Sequence, residues 1–77
     1  MSKIFILGAG TWGVALAKIL AQQDVTVWSA LEKEIEQLKS TYKHKNLAGV
    51  DLPHSLKFTT DLYCATTAEF VVVAVPS

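Results

Sequence analysis

The stretch K-I-F-I-L-G-A-G-T-W-G, residues 3–13, restricts what this chain can fold into more than any other part of it. Lys3 opens a short apolar run, Ile4, Phe5, Ile6 and Leu7, and glycines follow at Gly8, Gly10 and Gly13. A brief, unbroken apolar run fits a strand covered on both faces. Glycines at G-x-G-x-x-G spacing directly behind it fit a tight turn from that strand into a helix. Gly8 permits positive φ in the turn, where a side chain is strained. Gly10 has no Cβ, so its backbone can lie against a pyrophosphate, and Gly13 lets the helix pack close to the strand. The start of that helix points its N–H groups and positive dipole end at the same place.

Taken alone, the glycine spacing also fits an ordinary strand–loop–helix turn. Its surroundings favour the dinucleotide-binding fingerprint. The helix continues as V-A-L-A-K-I-L-A, and a second β-rich run, Val25-Thr26-Val27-Trp28, follows within the ~30 residues of a βαβ unit.

The first strand is expected over residues 3–7 and its helix over about 12–22. Lys18 and Gln22 leave that helix only a narrow polar stripe, so burial on more than one side is expected. Ser29-Ala30-Leu31-Glu32 has capping-box spacing and is expected to open a second helix. Leu31, Ile35, Leu38 and Tyr42 then form one apolar stripe, with Glu32, Lys33, Glu34, Glu36 and Lys39 toward water. Residues 43–54 read as loop, with Asn46, Gly49 and Pro53 as turn signals. Residues 56–60 suggest a short third strand. Asp61 suits the N-cap of a short helical turn, kept short by Thr66 and Thr67. The run F-V-V-V-A-V over residues 70–75 is the clearest strand in the chain.

These elements compose an α/β fold: the first half of a Rossmann-type doubly wound parallel sheet, with expected strand order 3-2-1-4. The chain has 77 residues, enough for one small domain, and is read as a partial N-terminal dinucleotide-binding domain, residues 1–77, with a C-terminal substrate domain absent. The strand over 70–75 is central in the complete fold, so here it is expected at an edge with apolar side chains uncovered.

Composition excludes several function classes. Lys+Arg and Asp+Glu number 7 each, for a formal net charge of +0, which offers no basic face to nucleic acid. No apolar run approaches the ~18 residues of a membrane span. Lys3, the apolar stretch and Ala15-Leu16-Ala17 imitate a secretory signal, but the glycines interrupt the apolar segment such a signal needs. The single cysteine, Cys64, fits a reducing cytoplasm; without a nucleophile motif it reads as a packed or idle thiol. His44 and His54 lie in the loop without a Cys or acid cluster and read as surface histidines rather than metal ligands. No G-x-x-x-x-G-K-[ST] phosphate loop occurs.

Gly8-Ala9-Gly10-Thr11-Trp12-Gly13, with Val14-Ala15-Leu16-Ala17 behind it, resembles the opening of NAD(P)-dependent glycerol-3-phosphate dehydrogenases. Val25-Thr26-Val27-Trp28, the loop Asn46-Leu47-Ala48-Gly49-Val50-Asp51-Leu52-Pro53 and the ending Val73-Ala74-Val75-Pro76-Ser77 agree in order and approximate spacing. The resemblance covers essentially the whole chain but roughly the first quarter of a full-length relative. It implies a cofactor site in which the backbone of Gly8, Ala9, Gly10 and Gly13 holds the pyrophosphate of NAD, with NADP as the alternative. Thr11 and Trp12 would lie against the cofactor, Ser29 and Ala30 beside the adenosine, and Pro76-Ser77 near the cofactor at the strand end. For Trp12, packing is the competing role. The implied reaction is reduction of dihydroxyacetone phosphate to sn-glycerol 3-phosphate, which supplies phospholipid synthesis. The family's catalytic lysines lie beyond residue 77, so no catalytic residue is expected here and the fragment is expected to be inactive alone. Full-length relatives are expected to be cytoplasmic homo-oligomers.

The chain departs from the family in carrying Ala30 and Leu31 where many members have a basic or aromatic residue. An acid ~20 residues after the fingerprint commonly holds the ribose; Glu32 is the nearest candidate, and its capping-box position competes with that role. The link before the second strand and the helix before Phe70 look shortened, as in a divergent copy. Two other readings remain: a stand-alone nucleotide-sensing module that docks through the 70–75 edge, and the front of another 2-hydroxyacid or ketopantoate-type reductase.

Overall fold

A computed structural model describes residues 2–44, 47 and 49–74. The elements follow the expected order: β1 (Lys3–Leu7), α1 (Thr11–Ile19), β2 (Asp24–Trp28), α2 (Glu32–Thr41), β3 (Lys57–Thr59), a 3₁₀ helix (Leu62–Thr67) and β4 (Phe70–Val73). Among the described residues the strands form one parallel sheet in the order β3-β2-β1-β4. That is the arrangement of the first half of a doubly wound fold.

Register decides which side chains meet. Ile4 pairs with Val25, and Ile6 with Val27, which in turn pairs with Phe58. Because side chains alternate across a sheet, these residues share one face. Val14 and Ala17 of α1 and Ile35 and Leu38 of α2 close over that face, joined by Leu52 and Leu56 from the long loop and the entry to β3. Each fully buried aliphatic side chain there contributes roughly 1.5–3 kcal/mol. Phe5 is buried on the opposite face, where it lines a shallow cavity with Thr26, Cys64, Thr67 and Ala68 beside the 3₁₀ helix.

The Asp61 carboxylate accepts from the Tyr63 N–H at 2.9 Å and caps the 3₁₀ helix as expected. The Thr66 and Thr67 hydroxyls donate back to the carbonyls of Tyr63 and Cys64 at 2.8 and 3.3 Å, the local bonding by which threonine disfavours a longer helix. β4 pairs with β1 at the sheet edge, and Phe70, Val71 and Val73 are 58%, 48% and 67% exposed, so the expected uncovered apolar edge is present. Residues 75–77, including Pro76, lie outside the described residues, as do Asn46 and Ala48 in the loop.

Three local expectations are corrected. α1 stops at Ile19 rather than near residue 22. Its end tightens through Ala21 N–H to the Lys18 carbonyl (3.3 Å) and Gln23 N–H to the Leu20 carbonyl (2.9 Å), because the chain must reverse to enter β2 at Asp24. Nor is α1 buried on more than one side: Gly13, Val14 and Ala17 face the sheet, while Trp12 and Ile19 are both 77% exposed. A sheet can cover only the helix face it touches. Finally, Leu31 does not join the apolar stripe of α2; it precedes the helix and is exposed, leaving Ile35 and Leu38 as its buried face. Tyr42 ends α2 in the left-handed region at φ 51°, its ring stacked on His54 at 4.2 Å and edge-on to Phe58 at 5.7 Å.

Candidate functional site

The site is built where β1 ends. Gly8 keeps the ladder for one more residue, its N–H donating to the Trp28 carbonyl at 2.9 Å, and then turns the chain at φ 123°. That conformation is open to glycine and strained for a residue with a Cβ. Gly10 caps α1 without any side-chain bond, and its carbonyl accepts from the Val14 N–H at 3.0 Å. A Cβ built on Gly10 would meet nothing within 4 Å, so the loop faces open space there. At Gly13 a Cβ would drive into the backbone carbonyl of Gly8 and reach within 3.5 Å of the Ala74 Cβ. The three glycines thus do different work: one bends the strand end, one leaves a bare backbone facing outward, and one brings the helix down onto the turn.

That bare backbone borders a groove of ≈ 520 Å³ lined by Gly10, Thr11, Trp12, Leu16, Val72, Val73 and Ala74. Its size is ordinary for a small-ligand cleft. It lies between α1 and β4 at the carboxyl ends of β1 and β4, where the sheet's strand order reverses direction, the position at which open α/β sheets bind ligands. The first-turn N–H groups of a helix have no partner within the helix, so α1 adds donors and a positive dipole end at this mouth. An anion of pyrophosphate size fits the chemistry of these groups: bare backbone, open space at Gly10 and a helix start. Trp12 is 77% exposed and lines the groove, so it does not serve the core.

The second expected contact region is at the end of β2. Leu7 and Trp28 are in register, so Gly8 and Ser29 leave the sheet side by side. Ser29 is buried and Ala30 exposed. The expected capping box is absent. α2 begins at Glu32 with Leu31 as its N-cap and no side-chain cap bond, while the Ser29 Oγ accepts from the Leu31 N–H at 3.1 Å. The reason lies in the sheet: the Ser29 N–H still donates to the Thr59 carbonyl at 3.1 Å, extending the β2–β3 ladder and delaying the helix. Glu32 therefore sits in the first turn with Glu34, where both complement the helix dipole.

One residue escaped the sequence reading. His44, expected at the surface, is 7% exposed, and its Nε2 lies 3.2 Å from the Ala9 carbonyl oxygen. A carbonyl only accepts, so Nε2 carries the proton in this contact. The loop that follows α2 thus reaches back to brace the glycine turn. Nothing in the local pattern around Lys43-His44 marks that contact, which spans 35 positions in sequence. His54 is exposed as expected, and Cys64 is half-buried. Among the described residues no group of His, Cys, Asp and Glu could hold a metal, and no helix is long and apolar enough to cross a membrane.

The family model described as "NAD-dependent glycerol-3-phosphate dehydrogenase N-terminus" matches residues 3–77. The chain is 46% identical over 80 residues to glycerol-3-phosphate dehydrogenase [NAD(P)+] 2 of Lactobacillus delbrueckii subsp. bulgaricus, covering 100% of this chain and 24% of that protein. It is 46% identical over 81 residues to glycerol-3-phosphate dehydrogenase [NAD(P)+] of Agathobacter rectalis, again with 100% and 24% coverage. The crystal structure of glycerol-3-phosphate dehydrogenase from Coxiella burnetii superposes with a TM-score of 0.87 at 31% identity, covering 99% of this chain and 25% of that one. The chain therefore spans about a quarter of the length of these relatives.

Proposed function

The chain belongs to the NAD-dependent glycerol-3-phosphate dehydrogenase N-terminal family, and on that premise we propose that residues 1–77 form part of the enzyme's dinucleotide-binding domain and hold the cofactor without carrying the chemistry. The observation that carries this reading is the open face at Gly10 next to the start of α1. Backbone from Gly8 through Ala9 and Gly10 to Gly13 receives the pyrophosphate, and Thr11 and Trp12 lie against the cofactor along the groove. Ser29 and Ala30 flank the adenosine. The Ser29 hydroxyl accepts from the Leu31 N–H and still has its own proton to donate to a ribose oxygen. Pro76 belongs to the same site by resemblance and lies outside the described residues.

When bound, the nicotinamide gives or takes the hydride that interconverts dihydroxyacetone phosphate and sn-glycerol 3-phosphate in phospholipid synthesis. What these residues contribute is binding and orientation; acid catalysis and substrate recognition come from a substrate domain outside them. NAD is favoured over NADP, because exposed Ala30 and Leu31 give a 2′-phosphate no side-chain donor or cation. Lys33, the closest base in sequence to Ala30, lines a cavity with Glu34, Gln37 and His44, and Glu32, if turned inward, would repel an added phosphate. We place the enzyme in the cytoplasm as a homo-oligomer with no nucleic-acid partner.

Calorimetric titration of wild-type and Gly10→Val chains with NAD tests the site. A valine fills the open face and lowers affinity about tenfold or more, the scale of an overpacked contact. Equal affinity in two folded chains refutes the assignment.

A further inference from the structure

We propose that His44 is a positioning residue for the dinucleotide loop: its Nε2–H holds the Ala9 carbonyl and so keeps the Ala9–Gly10 peptide turned in the sense that binds an anion. This rests on the dinucleotide reading of the Gly8–Gly13 turn. Three observations carry it. His44 is buried, its Nε2 lies 3.2 Å from the Ala9 oxygen, and Ala9 is itself 2% exposed. In a planar trans peptide the C=O of one residue and the N–H of the next point in opposite directions. With the Ala9 oxygen drawn toward the buried His44, the Gly10 N–H points the opposite way, and the backbone at Gly10 is open enough that a Cβ there would meet nothing within 4 Å.

The backbone alone does not secure this orientation. Gly10 sits at φ −71°, and rotating the Ala9–Gly10 peptide by about half a turn carries that φ to the positive side. A residue with a Cβ resists such a rotation; glycine accepts it. The glycine that makes room for a pyrophosphate therefore also frees the peptide to flip, which would present a carbonyl oxygen to the anion and turn the N–H inward. The His44 donor, supplied from the loop after α2, removes that freedom before the cofactor arrives, and pre-organised donors bind more tightly than donors that must be ordered on binding.

The test uses three 77-residue chains: wild type, His44→Leu, which keeps bulk and removes the donor, and His44→Gln, whose amide NH₂ reaches like Nε2–H. Affinity for NAD is read by titration and foldedness by circular dichroism. The expected result is affinity about tenfold weaker in His44→Leu and restored to within about threefold of wild type in His44→Gln. Nitrogen NMR of the wild-type imidazole is expected to find the proton on Nε2, and the Gly10 amide resonance is expected to move in His44→Leu. Wild-type affinity in a folded His44→Leu chain, absence of rescue by glutamine, or an unprotonated Nε2 in the wild type each overturns the proposal, the last even if His44→Leu fails to fold. If wild type binds no dinucleotide, the cofactor reading fails and takes the affinity part of this inference with it. The tautomer and the Gly10 resonance still report separately whether His44 holds the loop.

Discussion

Replacing Gly13 by alanine separates two opposed effects whose sizes can be worked from the structure. Gly13 lies in the first turn of α1, and alanine there should stabilise the helix by about 1 kcal/mol on intrinsic propensity. The added Cβ, however, runs into the Gly8 carbonyl, a backbone atom with no rotamer to yield, where ordinary contact begins near 3.4 Å. Relief requires α1 to move away from β1 by more than an ångström. Val14 and Ala17, both 0% exposed, would then lose contact with Ile4 and Ile6. Overpacking of this kind costs about 1–3 kcal/mol, and a loosened core adds about 1 kcal/mol, which offsets the helix gain, so the balance is a loss of about 1–3 kcal/mol. For a domain of this size, whose total stability is of order 5 kcal/mol, that lowers Tm by roughly 4–24 °C. Thermal melts followed by far-ultraviolet circular dichroism measure it, with Gly10→Ala as the control. That alanine meets nothing within 4 Å at φ −71° and should cost less than about 1 kcal/mol. A Gly13→Ala chain as stable as wild type, or equal losses in both variants, would refute the close-approach argument.

Asp61→Ala should remove the cap on the 3₁₀ helix and cost about 0.5–2 kcal/mol in urea unfolding without altering NAD affinity, since the cap lies away from the groove. Parallel titrations at low salt should find NAD bound more tightly than NADP; a tighter NADP complex weakened by Lys33→Ala would identify Lys33 as the reader of the 2′-phosphate. The 77 residues by themselves should give no saturable oxidation of reduced cofactor with dihydroxyacetone phosphate, followed by nicotinamide absorbance. A positioned acid contributes ~10²–10⁴ in rate and none is identified here, so substrate-dependent turnover would mean that a catalytic group lies among these residues.

The order of elements and the glycine turn were legible in the residues because each rests on a short-range rule, and the strand order β3-β2-β1-β4 followed from the doubly wound fold those elements imply. Apolar runs mark strands, glycine alone tolerates the φ of 123° at Gly8, and right-handed crossovers leave few ways to arrange consecutive βαβ units. The family resemblance was legible for the same reason, since its motifs sit at the turns where backbone geometry allows few residue types. Packing decided what lies between. Ser29 and Glu32 have capping-box spacing, yet the Ser29 N–H is drawn to Thr59 across the sheet, and the helix starts later. Ile19 looks like a core residue by composition, but one sheet covers only one side of α1. His44 reads as a surface residue within its own loop and becomes buried because that loop folds back 35 positions onto Ala9. Periodicity says which side of an element is apolar; which distant group meets it is settled only when register, helix position and loop path are satisfied together.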